Sequence, residues 1–245
     1  MKFSRALPLL LLALAAKPSF AFDDSALRNS IEMDDVSTVR EMIAAKKITP
    51  DTFILVHPYM SKPGMPILGL AARVASLRVV QYLISQHANL NATTEFGETP
   101  LMFASFFSDD PSDTSKYSAH ELVVDALLQA GAMVDGFPHH FSPIAYAAYY
   151  GHIRLVKKLL DHGAHPDSDA VDGKCETNTA LIYSAMNSHE EQARLLLERG
   201  ANPRVVNSKE HDALYFAHDH NSAIEKILNC ALSLKDGEKF SERCE

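Results

Sequence analysis

The side chains with the most chemical reach in this sequence are twelve histidines and three cysteines. Three histidine pairs, His139-His140, His162/His165 and His218/His220, could each offer a metal two imidazoles. None is joined to the Cys or His spacing that a tetrahedral zinc site needs. His120-Glu121 and His189-Glu190 lack the second histidine three residues on that a zinc-protease helix requires. The run from Asp167 to Gly173 has part of the acid spacing of a calcium loop. Its third acid, Asp172, comes one residue late, and Asn178 stands where a bidentate glutamate belongs. It therefore reads as a solvated acidic finger. Gly-rich phosphate loops and nucleophile elbows are missing too. The sequence thus predicts no catalytic residue, no metal and no cofactor. The contrasting reading is a metal or haem carrier, or an enzyme, that uses the His and Tyr side chains.

Cys230 ends the last helical pattern and Cys244 is the penultimate residue, so a disulfide between them would staple the tail to the last helix pair. Cys175 would then be left in a loop. Three free thiols are the other option, and spacing alone does not decide between them.

The chain opens with Lys2 and Arg5, an apolar core from Ala6 to Ala16, and the breakers Lys17 and Pro18. Ser19-Phe20-Ala21 follows, with small residues where a signal peptidase reads, so residues 1–21 are expected to be an export signal cleaved after Ala21. The apolar core is short for a membrane span, and no later segment is apolar enough to be one, so no membrane insertion is expected after signal removal. The formal charge of −8 would become about −11 without the signal's three cations. An acidic exported chain is a poor ligand for nucleic acid or anionic lipid. A bacterial periplasm is the expected location, or secretion from a eukaryotic source.

What would position these residues is best read at Ser142–Ala164, two short amphipathic helices around a Gly151-His152 turn. Pro143 suits a first helical position. Ile144, Ala147 and Ala148 give the first helix a slim apolar face. Leu155, Val156, Leu159 and Leu160 recur at helical spacing in the second, and Gly163 ends it as a left-handed cap. So short a pair cannot bury its own faces and demands neighbours of the same kind. They are present at 66–92, at 99–107 resuming at 121–135, and at 179–203, with weaker flanking copies at 26–45 and 212–232. Equivalent positions Pro66, Pro100, Pro143, Ala180 and Ala213 lie 34, 43, 37 and 33 residues apart.

The two values near 33, Thr99-Pro100-Leu101, the Ala-Ala pairs at 71–72 and 147–148, Gly151-His152, and Gly-Ala at 131–132, 163–164 and 200–201 recur in phase. By these residues the chain resembles the ankyrin-repeat family over nearly all of its length after residue 21. The expected fold is all-α: a solenoid of paired antiparallel helices with hairpin-like fingers, about six repeats including degenerate caps. The expected divisions are an N-terminal cap repeat at 22–51, an irregular insertion at 52–65, repeats at 66–98, 99–141 (with an insertion near 108–120), 142–176 and 177–209, and a C-terminal cap repeat at 210–235. These form one domain, 22–235, followed by a tail at 236–245. Phe53 to Val56, too apolar for a free loop, is expected to pack down, and the sequon Asn91-Ala92-Thr93 reads as the usual finger turn.

The resemblance implies that His152 and His189 hydrogen-bond the backbone between repeats. It further implies a cupped shape whose variable contact positions lie between the Ala-Ala pair and the Gly-His turn. In phase these are Arg73/Val74, Phe106/Phe107, Tyr149/Tyr150, Met186/Asn187 and Asp219/His220. The adjoining finger adds Phe137, His139, His140 and Phe141. Four aromatics in adjacent repeats at such positions mark a contact surface for a protein partner. The other option is that the insertion after Ser108 covers Phe106 and Phe107. By resemblance the function is that of a non-catalytic binding module, monomeric alone. It would serve as a toxin-neutralising immunity protein or as an accessory to periplasmic oxidative-stress defence that helps a catalase.

Overall fold

A computed structural model describes residues 24–54, 64–107, 114–136, 141–171, 174–175, 177–217, 222–235 and 237–244. The expected export signal, Phe137, His139, His140, Asp219 and His220 lie outside them. In chain order the elements are α1 (Ser25–Glu32), α2 (Val36–Ala44), β1 (Phe53–Ile54), β2 (Met65–Pro66), α3 (Ile67–Arg73) and α4 (Leu77–Ser85). Next come α5 (Pro100–Ser105), α6 (Thr114–Gln129), α7 (Pro143–Tyr149), α8 (Ile153–Asp161), β3 (Ala170–Val171) and β4 (Lys174–Cys175). The chain closes with α9 (Ala180–Met186), α10 (Glu190–Glu198), α11 (Ala213–Ala217), α12 (Ser222–Ser233) and α13 (Phe240–Arg243).

A hydroxyl caps the first helix of each of the three central pairs, α5, α7 and α9. Thr99, Ser142 and Thr179 accept the N–H of Met102, Ala145 and Ile182 at 3.3, 3.2 and 3.3 Å, and Pro100 and Pro143 fill the first helical positions of α5 and α7. Each second helix is an amphipathic nine-mer in α4, α8 and α10. In α6 the insertion after Ser108 partly continues as helix, so that element begins at Thr114 and runs for 16 residues. The α8 helix ends at Gly163, whose φ of +90° is the left-handed geometry that favours glycine.

The pairs stack in register. The first helices form one row, α1, α3, α5, α7, α9 and α11, each packing on the next. Second helices form a parallel row, in which α8 meets α6 through Arg154–Glu121 at 3.1 Å and Lys158–Asp125 at 2.7 Å. Between the rows lies a continuous apolar core containing Leu68, Leu101, Ile144, Leu155, Leu159, Leu181 and Leu196. The β1–β2 hairpin pairs Ile54 with Met65, both buried, so part of the irregular insertion does pack down.

Two side-chain ladders lock the stack. The first runs from the turn inside each pair to the preceding pair. Ser76 donates to the Ile31 carbonyl, while the His120 and His152 rings bond the Arg73 and Phe107 carbonyls at 3.2 and 2.8 Å. His189 and Gln192 both bond the Ala148 carbonyl, at 3.2 and 2.9 Å. The second ladder joins finger tips. Asp51, Asn91, Asp135 and Asp167 accept the N–H of Asn89, Met133, His165 and Asn202 at 2.7, 2.9, 2.9 and 2.8 Å. Asn91, the sequon residue, is thus one of its rungs.

The C-terminal end is closed covalently. Cys230 and Cys244 form a disulfide with Cα atoms 5.8 Å apart, tying α13 to α12. Phe240 is buried there, and Arg194 of α10 donates to the Cys244 carbonyl at 3.1 Å.

The finger at 167–171 corrects the sequence expectation of a solvated acidic loop. Asp167 and Asp169 are 8 % and 5 % exposed. Asp167 faces inward because it caps the next finger, and Asp169 because the hydroxyl of Ser142, the α7 cap, donates to its Oδ2 at 3.0 Å. Burial pushes the Asp169 carboxyl up to about 7, with Asp135 and Asp167 adding to the rise; burial raises Asp167 as well.

Two predictions follow from this packing. Leu159 has no exposed surface, so Leu159→Asp should cost roughly 4 kcal/mol or more, read as a lowered urea midpoint. An unchanged midpoint would contradict the repeat phase. For Asp169, the folded chain holds a proton between about pH 4 and 7 that the unfolded chain has released. Stability should therefore fall as pH rises through that window, by at most about 4 kcal/mol from this group, and stay flat above it. Asp169→Asn, which keeps an acceptor for Ser142, should flatten the melting-temperature profile between pH 5 and 8. An equal slope in the variant would mean that Asp169 is not buried.

Candidate functional site

The first helices carry a second pattern besides their apolar face. Counted from the equivalent positions Pro66, Pro100, Pro143, Ala180 and Ala213, the fourth residues are Gly69, Phe103, Tyr146, Tyr183 and Phe216, and three residues on from the middle three stand Phe106, Tyr149 and Met186. Residues three apart share a helix face, so Phe106, Tyr149 and Met186 form a row beside Tyr146 and Tyr183. Phe103 turns into the gap left by Gly69, where a Cβ would come within 3.1 Å of its ring, and is buried there. Phe106, Tyr146, Tyr149 and Tyr183 meet, with Phe141 and Tyr150, around a cavity of about 350 Å³, whereas Met186 and Phe216 line the neighbouring groove.

The rings hold one another in place. Phe106 stands edge-on to Tyr146 and Tyr150, at centroid separations of 5.0 and 5.2 Å. Tyr149 stands edge-on to Tyr150 and Tyr183, at 4.9 and 5.3 Å. Phe141 lies within 24° of parallel to Tyr146 at 5.1 Å. These geometries match the positive edges of some rings to the negative faces of others, so the wall is preorganised. Tyr149 and Phe106 are 42 % and 37 % exposed, opening the cavity to solvent.

The polar atoms behind the wall are few. The Tyr146 hydroxyl donates to Glu98 Oε1 at 3.2 Å, and Glu98 Oε2 accepts from the Thr94 hydroxyl at 3.0 Å. Burial, then the Glu98 charge, hold the Tyr146 phenol well above its usual range, so it stays a neutral donor. Burial and the neighbouring Tyr149 raise Tyr150 as well. Phe141 and Tyr183 also border a second groove of about 610 Å³, which includes Asn178, Met186, Asn207, Lys209, His211 and Tyr215.

The structure sorts the residues nominated from sequence. Phe106, Tyr149, Tyr150 and Phe141 line the cavity, and Met186 lines the neighbouring groove. Phe107 does not reach the surface. It is 7 % exposed and stacked between His120 and His152, at 4.2 and 3.9 Å and nearly parallel to both. Its cover thus includes the two rings of the interlocking ladder. Asn187 donates to the Tyr149 carbonyl at 2.8 Å, which ties α9 to α7 and makes it a brace for the cavity wall. Arg73 is exposed at the end of α3, outside the lining of either hollow. Tyr146, Tyr183 and Tyr215 escaped the sequence reading. The signal was available: they sit one helical turn before, or in phase with, positions already singled out.

Among the described residues no group of three or more His, Cys, Asp or Glu side chains is placed to hold a metal ion. His120, His152 and His189 instead bond backbone carbonyls. No described helix is long and apolar enough to cross a membrane.

Comparison with known proteins agrees with the repeat geometry. Two family models match, one described as ankyrin repeats (3 copies) over residues 68–170 and one as ankyrin repeats (many copies) over 144–197. The chain is 28% identical over 149 residues to SH3 and multiple ankyrin repeat domains protein 2 of Homo sapiens, covering 61% of this chain and 7% of that protein. It is 30% identical over 164 residues to Neurogenic locus notch homolog protein 1 of Xenopus laevis, covering 66% of this chain and 6% of that protein. It is also 28% identical over 173 residues to the Mitochondrial disaggregase of Bos taurus, covering 69% and 24%. The chain therefore spans a quarter or less of these relatives. Between them the family models cover residues 68–197, more than half of the sequence, and the chain belongs to the ankyrin-repeat family.

Proposed function

We propose that this protein is an exported binding module that engages a partner protein through the aromatic face of α5, α7 and α9. The observation that carries the reading is the open cavity walled by six aromatic side chains, with Tyr149 and Phe106 exposed at its mouth. A solvated stack gains nothing from large apolar rings held apart in water. A partner that fills the space recovers their burial, and aromatic anchors in preformed pockets dominate interface energetics. Repeat arrays supply this kind of surface because stacking fixes the spacing of side chains on successive helices.

Export is supported by the basic start at Lys2 and Arg5, the apolar core that follows and the small residues before Phe22. The Cys230–Cys244 disulfide suits an oxidising compartment such as a periplasm. Within that setting two roles fit: neutralising a toxin delivered there, or assisting a catalase in oxidative-stress defence. The genes beside this one discriminate between them, since each role places its partner nearby. A metal or haem carrier draws no support from His120, His152 and His189, which serve the backbone ladder.

The test is capture of partners by wild type and by Tyr149→Ala/Tyr150→Ala from a native periplasmic extract. Loss of one central aromatic should weaken a specific complex by about 2 kcal/mol, roughly 30-fold, while the melting temperature changes little. An unchanged set of partners with a folded double variant would reject the aromatic face as the binding site.

A further inference from the structure

The chemistry of the cavity wall narrows what it accepts. Four of its six lining residues are tyrosines and none is a basic side chain. Phenol rings present electron-rich faces, which attract organic cations far better than an aliphatic wall of equal area does. Behind the wall stands a carboxylate, since Tyr146 donates its hydroxyl proton to Glu98 Oε1 at 3.2 Å. That hydrogen bond pushes electron density into the ring and sets a negative charge one side chain from the cavity. Glu98 is fixed there by Thr94 and is half-buried, which lessens the screening of its charge. An apolar guest would gain nothing from this arrangement. The whole chain carries a formal charge of −8, so a basic guest is also steered towards it.

We infer that the cavity formed by Phe106, Phe141, Tyr146, Tyr149, Tyr150 and Tyr183 is a cation cage that receives a lysine or arginine side chain of the partner protein. This rests on the aromatic face of α5, α7 and α9 being the partner-binding surface, and it names the chemistry of that surface. A side chain on a polypeptide, and not a free ammonium ion, is the occupant because the cavity adjoins a larger groove. The two share Phe141 and Tyr183, and the groove continues past Thr177, Met186 and Tyr215. There is room beside the cage for the chain that carries the cation.

The test titrates the purified protein with three capped pentapeptides, Gly-Gly-Xaa-Gly-Gly, in which Xaa is lysine, arginine or the neutral norleucine. Tetramethylammonium chloride is the fourth probe. The protein has eight tyrosines and no tryptophan, so tyrosine fluorescence and aromatic NMR shifts report on the cage directly. The lysine and arginine peptides should bind at least about tenfold more tightly than the norleucine peptide, and Tyr149→Ala should remove about tenfold from the cationic peptides. Glu98→Gln keeps an oxygen acceptor for Tyr146 and removes the charge. It should weaken the cationic peptides about fivefold and leave norleucine unchanged. Equal binding of norleucine and lysine would overturn the cage, as would no perturbation of tyrosine signals by any peptide. Tetramethylammonium binding as tightly as the lysine peptide would overturn a protein side chain as the occupant. None of these failures touches the proposed aromatic binding face while partner capture still depends on Tyr149 and Tyr150; capture that survives their loss would end both.

Discussion

The hydrogen bond that each helix pair makes to the backbone of the pair before it is the constraint on which this structure depends. A first helix of six or seven residues leaves carbonyls at its C-terminal end with no partner in the helix. Buried between repeats, those carbonyls would each cost 1–3 kcal/mol or so if left unpaired. Ser76, His120, His152, His189 and Gln192 bond carbonyls at or just past those ends, two of which, Ile31 and Ala148, also accept the N–H of Asp34 and Gly151, and these contacts fix the distance and angle between neighbours. Gly151 is what lets His189 come in: a Cβ there would lie 2.7 Å from its ring, and the φ of +75° suits glycine. Apolar burial supplies much of the driving force. The ladder supplies the register.

Register in turn makes the face. Because α5, α7 and α9 are held at fixed spacing, side chains that are one turn apart on each helix fall into rows across helices. The same rigidity explains why two adjacent phenylalanines have opposite fates. Phe106 points to the open face, whereas Phe107 is clamped between the rings of His120 and His152 as part of the ladder. Asn187, bonded to the Tyr149 carbonyl, belongs to the scaffold that aims Tyr149. The buried carboxyl of Asp169 sits under the Ser142 cap on the finger side, linking the start of α7 to the following finger.

Much of this was legible in the sequence. Thr-Pro and Ser-Pro at 99–100 and 142–143 announce capped helices, and the spacing of Leu155, Val156 and Leu159 announces the buried stripe, because both rest on local chemistry with a fixed period. The positions of Tyr149 and Tyr150 followed from counting in phase. What escaped was whatever depends on a neighbouring repeat. Phe107 looks like Phe106 until the two histidines that cover it are placed, and one of them, His120, lies beyond an insertion that breaks the count. Asp167 and Asp169 look solvated because acids in a finger usually are. Only the next finger and the Ser142 hydroxyl draw them inward. Tyr146 and Tyr183 stand in sequence among the apolar residues of the first helices, and only the adjacent repeat shows that their rings face the cavity.

A partner protein that binds through this surface must touch the face on which Tyr149 stands. Site-specific photo-crosslinking measures this contact directly, with p-benzoylphenylalanine placed at Tyr149 or, as a control, at exposed Lys157 on α8. Irradiation in cells should give a discrete higher-mass adduct with the probe at 149 and none at 157. Adducts of equal yield at both positions, or at 157 alone, would contradict it.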